Sequence, residues 1–165
     1  MLVLKLDTKK CMSELLLKET FDSFIFIEGD ITTFNQFHID GYLQKKFFSV
    51  DDIKSTMTED YSFWQDVREF CFSLIKGKRT PLDFKLVFSL TKPEIEKLLT
   101  DPNLNFSVSD VQGLYLNFKY NGEALQCITG TSLTTFIPDK SLEHAWDKAA
   151  QQLFDTHGIN CEIVE

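Results

Sequence analysis

The sequence predicts an α+β fold: a mainly antiparallel sheet with helices packed on one face, in a single domain spanning residues 1–165. Three observations carry this expectation. Leu114, Leu116, Phe118 and Tyr120 alternate with Asn117 and Lys119, the period of a half-buried strand, and Asn121-Gly122 leads into a second β run over 123–129. Leu142, Ala145, Trp146, Ala149, Leu153 and Phe154 then recur at three- and four-residue steps, an apolar helix stripe suited to covering a sheet. The order of elements along the chain, β-α-β-β-α-β-α-β-β-α-β, links strands by hairpins rather than by regular βαβ units.

Each element has a local reason. Leu2 to Leu6 reads as a short strand, and Asp7 or Thr8 can cap a helix carrying Met12, Leu15 and Leu16 on one face. Residues 20–26 open a second β region, Glu28-Gly29-Asp30 offers a turn, and Ile31 to Ile39 forms the partner strand. Within 43–60, the run Ser49 to Ile53 suggests a short capped helix followed by an acidic loop. In 61–76, Phe63 or Trp64, Val67, Phe70 or Cys71, and Leu74 fall at helical spacing. The apolar run 70–75 would also suit a strand, but helix is the favoured assignment.

Leu82, Phe84, Leu86 and Phe88 alternate as a strand should, and Thr91 caps a helix with Pro93 and Glu94 in its first turn. Asn121-Gly122 suits a two-residue type I′ turn, because both residue types tolerate positive φ. A short third strand is expected over 133–137, stopped by Pro138. Ser141 is placed to cap the long helix, Gly158 to close it, and 159–164 to return as a final strand.

Composition narrows the function classes. A chain of 165 residues with 43% apolar residues and 16 phenylalanines carries enough apolar mass for a core, which excludes disorder. No apolar run approaches the roughly 18 residues of a membrane helix. Met1 to Asp7 lacks the basic and apolar regions of a secretion signal, so a cytoplasmic location is expected. Cys11, Cys71, Cys127 and Cys161 are scattered without close pairs, the pattern of reduced core thiols rather than of a zinc site. A net charge of −8 disfavours charge-driven binding to nucleic acid or to an anionic membrane.

The stretches 31–41 (Ile-Thr-Thr-Phe-Asn-Gln-Phe-His-Ile-Asp-Gly) and 70–81 (Phe-Cys-Phe-Ser-Leu-Ile-Lys-Gly-Lys-Arg-Thr-Pro) resemble segments of an uncharacterised family of small cytoplasmic proteins from anaerobic Gram-positive bacteria. The similarity spans most of the chain. It implies a bacterial, cytoplasmic, single-domain protein; no activity is assigned to that family, so no functional residue carries over.

Three constellations can carry chemistry. Lys76, Lys78 and Arg79, loosened by Gly77, form a compact basic cluster that can receive a phosphate or carboxylate. It is not a P-loop, and a solvated helix C-terminus explains the same residues. His38 and Asp40 face one side of a strand near Glu28 and Asp30, an arrangement able to do acid–base work or to be an ordinary surface pair. Glu143, His144 and Asp147 cluster on the long helix, where a solvated face is the better account; His157 suits the helix C-terminus. No metal or cofactor is expected. The sequence therefore favours a non-catalytic binding protein that recognises a protein partner or a small anionic ligand through Lys76, Lys78 and Arg79. The alternative is a hydrolase acting on a phosphorylated or nucleotide-like substrate, with His38 and Asp40 beside that cluster.

Overall fold

The computed structural model describes residues 1–56 and 59–164, the side chains of 54–56 excepted. The chain runs β1 (Val3–Leu6), α1 (Thr8–Leu16), β2 (Ile25–Thr32), β3 (Gln36–Asp40), α2 (Val50–Thr56), α3 (Trp64–Ile75), β4 (Asp83–Ser89), α4 (Lys92–Leu98), β5 (Val111–Tyr120), β6 (Leu125–Leu133), α5 (Ser141–Thr156) and β7 (Cys161–Ile163). The seven strands form one sheet in the order β3-β2-β4-β5-β6-β1-β7, and every neighbouring pair is antiparallel. The expected α+β class is what the chain adopts. The acidic loop expected after α2 lies partly outside the described residues.

Alternation sorts the sheet into two faces. Leu4, Ile31, Phe84, Leu86, Phe88, Leu114, Leu116, Phe118, Leu125 and Cys127 point to one side. They join Cys11 and Leu15 of α1, Trp64 and Cys71 of α3, and Leu142, Trp146, Ala150 and Phe154 of α5 in one buried cluster. The opposite side carries the cross-strand row Lys85, Lys119, Gln126 and Lys5. At the centre of the core Phe118 meets Phe21, Phe88 and Phe154 edge-on, at centroid distances of 5.4–6.2 Å. The abundance of phenylalanine is thus a core property, and such ring contacts add to the burial itself.

Several local expectations are corrected. The β2–β3 turn falls at 33–35, not at Glu28-Gly29-Asp30. Gly29 instead sits inside β2, where a Cβ would lie 3.0 Å from Leu86 Cδ2 and 3.1 Å from Phe26 Cζ. It is there for core packing, not for a turn. The β5–β6 connection is a four-residue loop, 121–124, rather than a two-residue type I′ turn. The Asn121 side chain accepts the amides of Glu123 and Ala124, and only Gly122, at φ 96°, enters the left-handed region.

The third short strand over 133–137 is absent: β6 continues to Leu133, pairing with Val111, and 134–137 leave the sheet. Lys140, not Ser141, occupies the cap position of α5, and the Asp139 carboxylate accepts the Ser141 amide at 2.8 Å. A carboxylate near a helix start interacts well with its free amides, so Asp139 does the work expected of the serine. Residues 70–75 are helical. Within α3, Trp64, Cys71 and Ile75 turn inward while Phe70 stays exposed, which resolves the two alternatives left by spacing alone.

Candidate functional site

The loop after α3 is held in place at both ends. Arg68 grips Asp22 through two nitrogens at 2.8 and 3.2 Å, fixing α3 against the segment before β2. The helix ends at Ile75, and Lys76 turns to extended backbone while its amide still bonds the Phe72 carbonyl. Residues 76–80 then run exposed, Pro81 is buried, and the Leu82 amide donates to the Thr32 carbonyl at 2.9 Å. That last bond brings the basic loop to the β2–β3 hairpin.

The result is a groove of about 680 Å³. One wall is the hairpin, with Thr33, Phe34 and Phe37; the other is the end of α3 and its loop, with Leu74, Lys76, Lys78, Arg79 and Leu82. Lys76 Nζ stands 5.5 Å from the Phe72 ring centroid. Among the described residues, no salt bridge joins Lys76, Lys78 or Arg79 to a carboxylate. The three cations of the sequence cluster therefore share one concave surface with exposed apolar groups. Phe34 is 87% and Leu82 65% exposed there. The Thr33 hydroxyl on the hairpin wall is buried without a hydrogen-bond partner.

His38 and Asp40 are not part of this surface. Phe37 pairs with the buried Ile31 and lines the groove, so the alternation of β3 sends His38 and Asp40 to the opposite face. The carboxylate that orients His38 is Asp30 across the hairpin, with Nδ1 and Oδ1 2.6 Å apart, and this hydrogen bond raises the imidazole pKa. Asp40 instead accepts the Tyr42 amide at 2.9 Å. The structure thus separates the two candidate groups that a shared hydrolytic site would bring together.

On α5, His144 is exposed while Asp147 is buried, accepting the Thr129 hydroxyl. Glu143 and Asp147 both face the Met1 ammonium, which holds the Glu143 carboxyl below its usual range. The solvated-face expectation holds for His144 and fails for Asp147. Among the described residues no group of three or more His, Cys, Asp or Glu side chains is arranged to hold a metal ion. Burial pushes the Cys71 thiol up to about 12 and the Cys11 and Cys127 thiols well above their ordinary value. A second cleft of about 460 Å³ lies between α4, α5 and the 20–24 segment, lined by Phe24 and Trp146 among others, and it shares no lining residue with the basic groove.

The family model described as a family of unknown function, DUF5721, matches residues 14–162. The chain belongs to this family. The DUF5721 match covers both walls of the groove and the helices that position them. No curated protein and no solved structure matches the chain. Among the described residues of this DUF5721 protein, no helix is long and apolar enough to cross a membrane. The groove partners Thr33, Phe34, Phe37 and Leu82 escaped the sequence reading because a turn placed at 28–30 hid Phe34 inside a strand. Asn35, a residue type favoured in turns, was the signal that marked the true one.

Proposed function

We propose that this protein acts by binding a small anionic ligand in the groove between the β2–β3 hairpin and the loop 76–82. One observation carries the proposal: three cations that have no carboxylate partner among the described residues, Lys76, Lys78 and Arg79, line the same concavity as Phe34, Phe37 and Leu82. Ligand sites of this kind combine a mostly apolar wall with a few convergent polar groups, in roughly 300–1,000 Å³. Charge-assisted hydrogen bonds from lysine and arginine supply the recognition of the anion. The net charge of −8 makes the site a local exception on an acidic protein, which selects for compact anions rather than long polyanions. A location in the bacterial cytoplasm, as the sequence resemblance implies, gives access to phosphorylated metabolites.

The test is a thermal-shift screen with phosphorylated metabolites and nucleotides, on the wild type and on the Lys76→Ala/Lys78→Ala/Arg79→Ala variant. A ligand at 100 times its Kd stabilises the fold by about 2.7 kcal/mol. The expected outcome is a shift in the wild type that disappears in the variant. A shift of equal size in both proteins would place the ligand elsewhere and overturn the assignment.

A further inference from the structure

We propose that the ligand of this groove is a planar aromatic ring carrying a phosphate, the chemistry of a nucleoside monophosphate; this rests on the groove being the anion site. The hairpin wall presents an uncovered ring. Phe34 is 87% exposed and meets Phe37 edge-on, with centroids 6.1 Å apart and planes at 80°. Phe37 therefore braces Phe34 while leaving most of its ring exposed for a ligand ring to stack on.

The aliphatic part of the wall is used differently. Ile75 is buried and Leu74 packs against the core, which leaves Leu82 as the exposed aliphatic side chain of the groove. Opposite the ring, three cations without carboxylate partners among the described residues match a phosphate dianion better than a single carboxylate. An exposed ring and three cations thus line one groove, as a base and its phosphate would need.

The experiment is isothermal titration of the full chain with four probes: a nucleoside monophosphate, the same nucleoside without phosphate, hexyl phosphate and inorganic phosphate. Phe34→Ala and the triple alanine variant are run beside the wild type, with circular dichroism to verify folding. Phe34 is exposed, so its removal spares the core. The nucleotide is expected to bind at least tenfold more tightly than hexyl phosphate. Phe34→Ala is expected to weaken the nucleotide about tenfold, the loss of one stacked base, and to leave hexyl phosphate unchanged.

Hexyl phosphate binding as tightly as the nucleotide, or indifference of the nucleotide to Phe34→Ala, would overturn the aromatic class while leaving an anion site that the triple variant abolishes. Equal binding of the nucleoside without its phosphate would overturn the anionic requirement. Absence of binding by every probe would remove both the ligand class and the groove as an anion site.

Discussion

The Trp64 indole nitrogen donates to the Leu15 carbonyl oxygen at 2.8 Å, joining the first turn of α3 to the last turn of α1. Leu15 is within the final residues of its helix, where carbonyls have no partner along the helix itself. The indole therefore satisfies a group that would otherwise be buried and unpaired. Trp64 also packs on Phe88 at 4.8 Å and on Phe26 at 5.5 Å. Trp64→Phe keeps most of the ring and orphans the carbonyl, and is expected to lower stability by about 1–3 kcal/mol. Urea unfolding checks this; an unchanged midpoint would show that the hydrogen bond contributes nothing net.

Glu14 is buried among Thr20, Lys18 and Lys10, and the hydrogen bond from Thr20, followed by that from Lys18, lowers its carboxyl to about 2. An unfolded glutamate titrates near about 4.3. A lowered folded value means that the ionised carboxylate stabilises the fold above that pH, and that this contribution is lost as pH falls from about 4.3 through 2. Glu14→Gln is expected to lower stability at neutral pH and to flatten the decline in acid. Thermal midpoints from pH 7 to pH 2 on both proteins decide it, and parallel curves would assign the acid loss to other groups.

His38 has its pKa raised, first by its hydrogen bond to Asp30. The sign is opposite to that of Glu14: the pair is fully formed below the unfolded histidine value and is lost as pH rises through the higher folded one. Proton NMR of the imidazole is expected to show titration above the usual range, and Asp30→Asn should return it there. Because His38 lies on the far face of β3, His38→Ala should leave ligand binding in the groove intact. Loss of binding in that variant would reunite the two sites.

Gly41 lies where β3 leaves the sheet, and a Cβ there would come within 2.0 Å of the Phe26 carbonyl oxygen and 2.8 Å of the Ile27 carbonyl oxygen. Its amide donates to Ile27 and its carbonyl accepts from Ser62, so the backbone has no slack to move. Gly41→Ala is expected to cost about 1–3 kcal/mol or more, as overpacking against rigid backbone does. Gly77→Ala serves as the control, since a Cβ there meets nothing closer than Arg79 O at 3.9 Å. Equal denaturation midpoints for the two variants would contradict the packing argument.

Three of the four thiols are buried, and Cys161 alone is partly exposed. Native protein is expected to release colour from a thiol-specific disulfide reagent at one site quickly, and at the remaining three only in denaturant. Rapid reaction of more than one thiol in native buffer would show that the core opens locally.

Much of the fold was legible because it depends on periodicity. The alternation of Leu114, Leu116, Phe118 and Tyr120 and the stripe from Leu142 to Phe154 each fix which side faces the core, whatever the partner element. Strands β1, β4, β5, β6 and β7 followed from such patterns, whereas the strands expected over 20–26 and 31–39 are displaced in the fold to β2 and β3, and the one expected over 133–137 is absent. The turn at 33–35 did not follow, because Gly29 signals a turn locally while its true role is to make room for Leu86 and Phe26, residues that approach only in the folded sheet.

The sequence by itself therefore determined the class of the fold, the inward faces of its elements, and three cations close together in the chain. The tertiary structure decided what stands beside them: Leu82 bonded to Thr32 draws the basic loop to Phe34 and Phe37, and strand alternation removes His38 to the opposite face. Periodicity is a property of neighbours along one chain, whereas a groove is made by segments some forty residues apart, whose approach depends on packing and register across the whole sheet.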